Sequence, residues 1–195
     1  MISKKGVENM IIKSKEELIN IIESDKDLME ILKTVSLLDL PDWWISAGFI
    51  RNKIWDVLHD YNIKTKYNDV DVIYYDVSDL QESTEKIYEK ELNRLNSKIP
   101  WSVKNQARMH LRNGTDPYES SVDAVNQYPE CPTAICIKLV NKKVVIHYDY
   151  DFEELFNGIV RPTPYFNNKE KIDIYLTRLE EKDWISKWPK LEIFK

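Results

Sequence analysis

Residues 43–76, WWISAGFIRNKIWDVLHDYNIKTKYNDVDVIYYD, decide the fold. They read as a strand ending at Gly48, an amphipathic helix of about four turns, a polar loop, and a second strand carrying Asp69 and Asp71. Ile50, Ile54, Val57, Leu58 and Tyr61 recur at helical spacing and make one apolar stripe. In YNDVDVIYYD, Val70, Val72 and Tyr74 alternate with Asp69, Asp71 and Ile73, so the two carboxylates share one face of a strand. Aspartate is depleted in strands, and a pair of them opening a strongly β-forming run suits a hard-cation site. A half-exposed antiparallel strand alternates in the same way, so a solvated strand face is the competing reading.

The turn before the helix adds a second signal. Arg51, Asn52 and Lys53 stand in its first turn, where cations oppose the helix dipole. A bound polyphosphate would offset that cost. Glycine at 48 permits close approach, the first-turn N–H groups point outward, and Arg51 or Lys53 can add charge-assisted hydrogen bonds. The alternative is three solvated charges on an exposed turn.

Composition limits what the rest can be. A chain of 195 residues that is 43% hydrophobic and 11% aromatic has enough apolar surface for one good core. The net charge of −5 and pI near 5.4 give no basic footprint, which argues against a long nucleic acid while leaving a local basic patch open. Cys131 and Cys136 flank Pro132 without a His or a second Cys pair to complete a zinc site, and read as free thiols. The opening MISKKGVENMIIK lacks an apolar run of secretory length, and no segment approaches about 18 uninterrupted apolar residues. The expectation is a cytoplasmic protein without a membrane span.

Two short helices are expected over residues 14–40, opened by Ser14-x-x-Glu17 and Ser24-x-x-Asp27. A helix over Ser78–Asn96 carries Leu80, Thr84, Ile87, Glu91 or Leu92, and Leu95 at helical spacing. Trp101–Lys104 reads as a strand and Gln106–Arg112 as a helical piece closed by Asn113-Gly114. If this region is helical from its start, Lys104, Arg108 and Arg112 form a row that lines an anionic groove or simply faces solvent. Thr133–Val140 and Lys143–Tyr148 are strands joined by an Asn141-Lys142 hairpin. DFEELF is a short helix and Asn168–Trp184 a closing one, with Trp184 and Trp188 covering a core edge or offering a platform for a base. The order implies an α+β, α/β-like architecture: a mixed sheet flanked by helices in one domain, with a helical preface (1–40), a core (41–150) and a C-terminal helical cover (151–195).

Taken together, AGFIRNKIWDVLH, NDVDVIYYD, WSVKNQARMHLRNGTDPY and DFEELFNGIVRPTPYF resemble, in order, the blocks of a bacterial family of small nucleotidyltransferases of unknown substrate. That family lies within the DNA polymerase beta-type nucleotidyltransferase superfamily. The resemblance implies the polymerase beta-like fold and transfer of an NMP from an NTP to an acceptor by a two-metal mechanism. Asp69 and Asp71 would be the catalytic residues and hold two magnesium ions; Gly48, Arg51, Asn52, Lys104, Asn105 and Arg108 would contact the nucleotide. The acceptor would be a small molecule, a protein or an RNA end. Three departures accompany the match, one of them a helix-to-Asp spacing longer than is usual in the superfamily. Phe49 stands where the superfamily has a second Gly or Ser, and Ser102 stands where a third carboxylate is expected, with Asp123, Asp149 and Asp151 as substitutes. A catalytically silent nucleotide-binding or regulatory module of the same fold is therefore the alternative.

Overall fold

The computed structural model describes residues 12–195. The expectations for the opening stretch 1–11, including the start of the helical preface, lie outside the described residues. The preface continues as α1 (Lys15–Ser24) and α2 (Lys26–Ser36). Ser14 caps α1, its Oγ accepting from the Glu17 N–H at 3.2 Å. Asp25, not Ser24, caps α2, accepting from the N–H groups of Asp27 and Leu28. The carboxylate wins because Asp25 also receives Lys53 at 3.1 Å and Lys64 at 2.7 Å.

A five-stranded sheet follows in the order β3-β2-β1-β4-β5. Its strands are β1 (Trp44–Ser46), β2 (Val70–Tyr74), β3 (Trp101–Asn105), β4 (Cys136–Val140) and β5 (Lys143–His147). β2 and β3 run parallel, joined across α4 (Glu82–Leu95), and the other pairings are antiparallel. The β4–β5 hairpin turns at Asn141 and Lys142, both with positive φ, the backbone that a two-residue type I′ turn requires.

The two faces of the sheet differ. Ile45, Val72, Val103, Ile137 and Ile146 point into the main core, which α1, α2, α3 (Gly48–Leu58) and the C-terminal segments cover. On the other face, Trp44, Ile73 and Cys136 join only a small cluster with Val125 and Ala134. That thin cover, supplied by α6 (Ser121–Asn126), leaves room for a cleft.

Both sheet edges are closed by glutamates. Glu85 and Glu89 of α4 accept from the N–H groups of Asn105 and Val103 on β3, and Glu23 accepts from Val144 on β5. Edge donors satisfied in this way cannot recruit another strand. This arrangement also corrects the α4 reading. The helix starts at Glu82 because the Asp76 and Asp79 side chains capture the N–H groups of Ser78 and Gln81 in local turns. Its buried residues are Glu85 and Leu92, whereas Leu80, Ile87 and Leu95 are exposed. Leu92 of the expected stripe turns inward, and Glu85 with its ion pair takes the other buried place on the helix.

The chain closes through α7 (Phe152–Phe156), β6 (Ile159–Val160), α8 (Ile172–Lys182), α9 (Trp184–Lys187) and β7 (Glu192–Ile193). Trp184 and Trp188 are buried against Trp55 of α3, with ring centroids 5.2 and 5.0 Å away, so they form core rather than a base platform. Asp56 ties this cover down, accepting from Trp188 Nε1 at 2.9 Å and from the Thr65 N–H at 2.8 Å. Gly158 marks the tightest approach. Its φ is +75°, and an added Cβ would lie 2.6 Å from Leu58 Cδ2 and 2.9 Å from Leu191 Cδ2. Gly158→Ala is expected to lower stability by about 2–4 kcal/mol, read from a denaturant titration, because it combines left-handed strain with overpacking.

Candidate active site

The thinly covered face holds a cleft of about 310 Å³. Asp71 stands there in a row across the sheet, paired in register with Ser46 on β1 and Ser102 on β3. Asp69 immediately precedes β2, and both carboxylates line the cleft with Gly48, Arg51 and Lys104. Residues from α3, β2 and β3 thus converge at one place. Burial, and next the negative charge of Asp69, pushes the Asp71 carboxyl up to about 6, partly offset by the Ser102 hydroxyl. Burial is the larger cause, so Asp71 is a carboxylate held in a poorly solvated part of the cleft even though Arg51 and Lys182 favour its charge.

The cleft's second wall is the start of α3. No side-chain cap is made at the start of this helix, which leaves its first-turn N–H groups without a capping acceptor where Ala47 and Gly48 line the cleft. The unusual backbone falls on Ala47 rather than on the glycine: its φ of 53° and ψ of −116° bend β1 sharply into α3. A Cβ on Gly48 would meet Arg51 Nη2 at an ordinary 3.5 Å, so the glycine keeps the cleft open without bearing backbone strain. Ala47 is fixed there by its N–H, which donates to the Ile135 carbonyl at 2.9 Å. Strain held at a site wall is a recurrent feature of ligand-binding turns.

Arg51 is buried, its guanidinium set against the rings of both Trp55 and Trp184, 4.8 and 4.7 Å from their centroids. Nη2 donates to Asn52 Oδ1 at 2.9 Å, and Nε is buried without a partner. Burial pulls its pKa down to about 10, which leaves it charged at neutral pH. Asn52 therefore orients Arg51 and is not among the residues lining the cleft.

Other residues singled out from the sequence fall elsewhere. Lys53 turns away to Asp25. Lys104 lies on β3, not on α5 (Gln106–Asn113), so the imagined helical row with Arg108 and Arg112 does not form. Lys104 reaches the cleft while its Nζ lies 3.4 Å from Glu85. Arg108 points to α4, forking onto both oxygens of the fully buried Glu85 at 2.7 and 2.8 Å. Asn105 is buried as the α5 cap, and its Nδ2 donates to the carbonyls of Asp76 and Asp79. Asp151 caps α7, Asp123 accepts from the Glu119 N–H, and Asp149 accepts from Asn126 Nδ2; none of the three lines the cleft.

Two charged cleft residues escaped sequence reasoning. Arg178 and Lys182 sit one turn apart on α8 and close the cleft from the C-terminal cover. An i, i+4 pair of cations opposite an apolar stripe looks like any solvated helix face, so only the docking of α8 reveals it.

No helix among the described residues is long and apolar enough to cross a membrane. None of the curated proteins matches the chain. Among solved structures, an NMR structure described as a CCA-adding enzyme head domain is 35% identical with a TM-score of 0.85, covering 94% of this chain and 97% of that one. A Thermotoga maritima CCA-adding enzyme complexed with tRNA is 14% identical (TM-score 0.55), and a CCA-adding enzyme with ATP is 15% identical (TM-score 0.55). The match covers 95% of this chain in each case but only 43% and 44% of those enzymes, and at that identity it shows the fold alone. A family model described as nucleotidyltransferase matches residues 33–193. With the paired aspartates, the open helix start and the head-domain likeness in agreement, the chain belongs to the nucleotidyltransferase family.

Proposed function

We propose that the cleft transfers a nucleoside monophosphate from an NTP to an acceptor oxygen, with Asp69 and Asp71 holding two magnesium ions. The observation that carries this reading is the meeting of both carboxylates, the uncapped start of α3 and the buried Arg51 in one cleft. The donor set fits magnesium. Among the described residues no group of three or more His, Cys, Asp or Glu gathers to enclose a metal, and magnesium favours one or two carboxylates completed by water and substrate phosphates. Bound there, it supplies neutralisation of phosphate charge and a lowered pKa for an acceptor hydroxyl.

The chain's own residues do the positioning. First-turn N–H groups of α3 donate to the phosphate oxygens at the positive end of the helix, and Arg51, held by Asn52 and against two tryptophans, adds a fixed charge. Lys104 and Lys182 flank the carboxylates. The acceptor oxygen attacks the α-phosphorus, the bond from that phosphorus to the bridging oxygen breaks, and pyrophosphate leaves. A fixed array of charges lowers the barrier without reorganising during the reaction. Because the structures that share this fold include one complexed with tRNA and one with ATP, an RNA end stands beside small molecules and proteins as an acceptor class.

The silent-module reading has one observation in its favour: among the described residues, Asp69 and Asp71 are the only carboxylates that line the cleft, and Ser102 stands beside Asp71. Incubation with α-labelled NTPs, magnesium and a panel of RNA, protein and small-molecule acceptors separates the two. Label transfer with stoichiometric pyrophosphate release is expected; tight NTP binding with no release across the panel would favour the silent module.

A further inference from the structure

Glu130 is fully buried in the segment between α6 and β4, and the reaction outlined above gives it no part. Its Oε1 accepts from Arg178 Nε at 2.7 Å, and its Oε2 accepts from Thr133 Oγ1 at 2.8 Å and lies 3.4 Å from Arg178 Nη2. After burial itself, Glu130 is also the strongest influence on Arg51, where it favours the charged form while Arg178 opposes it. Arg51 and Arg178 come from α3 and α8 and line the same cleft. Two guanidiniums in one poorly solvated wall repel each other, and an anion placed behind them offsets that repulsion.

Glu130 does not line the cleft, so it acts through the arginines. It fixes the Nε side of Arg178, whose side chain stays 34% exposed and presents its outer edge to the cleft. Arg51 brings a buried Nε with no partner to the same wall. Planar forks of this kind match phosphate oxygens better than they match a base or a sugar. We propose that Glu130 is a positioning residue that holds Arg178 across the cleft from Arg51, so that the two guanidiniums form a clamp for the terminal phosphates of the NTP. Docking of α8 on the core then completes the nucleotide site, an inference that rests on the NTP reading above.

The test uses magnesium with each of the four ribonucleoside triphosphates, their monophosphates and inorganic tripolyphosphate, titrated against the full chain. Trp55 and Trp184, whose rings both lie against Arg51, provide a fluorescence readout. Glu130→Gln and Arg178→Gln are each expected to weaken triphosphate and tripolyphosphate binding tenfold or more while leaving monophosphate binding within twofold. If Glu130→Gln does not fold, Arg178→Gln, altered at a partly exposed side chain, decides the matter. Variants that retain triphosphate affinity within twofold, or that lose monophosphate and triphosphate equally, would overturn the clamp. Failure of the unaltered chain to bind any triphosphate would overturn the proposed function as well, whereas normal binding in the variants overturns the clamp alone.

Discussion

Asp71→Asn is expected to stabilise the metal-free chain at neutral pH and to abolish nucleotidyl transfer. Burial and the neighbouring Asp69 raise the folded-state pKa of Asp71 from the ordinary 3.8 to about 6. The folded chain therefore holds this proton more tightly than the unfolded chain does. The stability linked to the proton is complete below about pH 4 and is lost as pH rises through about 6. At pH 7 the charged side chain thus costs on the order of 2–3 kcal/mol, which an amide avoids. Thermal melts at pH 7 without metal should show the variant higher by several degrees, and the gap should close toward pH 4. With magnesium and NTP the order should reverse, because only the unaltered site gains stability from the ligands. Turnover should fall by about a thousandfold or more, as for loss of a principal electrostatic group. A variant less stable than the original chain at pH 7 would contradict the charge strain assigned to the pair.

Glu85→Ala should produce the largest loss of stability of any single change considered. The carboxylate is fully buried and accepts from Arg108 Nε and Nη2 and from the Asn105 N–H at 2.9 Å. Removing it strands a guanidinium and a backbone donor at the joint between α4, β3 and α5. The expected loss is about 3–5 kcal/mol, measured by urea titration. Replacing Glu85 and Arg108 together by Leu and Met should recover much of it, since no uncompensated charge remains. A loss below about 1 kcal/mol for Glu85→Ala would show that the pair is solvated rather than buried.

That ion pair also explains what the sequence hid. The paired aspartates and the strand–turn–helix before them were legible because each depends on local periodicity: alternation on β2 and a 3.6-residue stripe on α3. The register of α4 was not, since the rule that apolar residues face inward selected Leu80 and Ile87 while Glu85 took the buried place through a partner 23 positions along the chain. Arg108 likewise read as a nucleotide contact because its carboxylate partner lies on another element. At the cleft, Gly48 and Arg51 could be named from the turn, but the strained backbone of Ala47 has no residue signature. Arg178, Lys182 and Glu130 are joined to the site only by the docking of α8, a tertiary event with no local pattern to announce it.

The central claim is that Asp69 and Asp71 hold divalent metal against a triphosphate whose tail lies along the start of α3. Crystals grown with manganese and a non-hydrolysable NTP test it directly through anomalous scattering. The expected result is a manganese peak between the two carboxylates, with phosphate density running to the Gly48–Arg51 turn. Crystals in which that position is empty of metal while the nucleotide binds elsewhere would contradict the account.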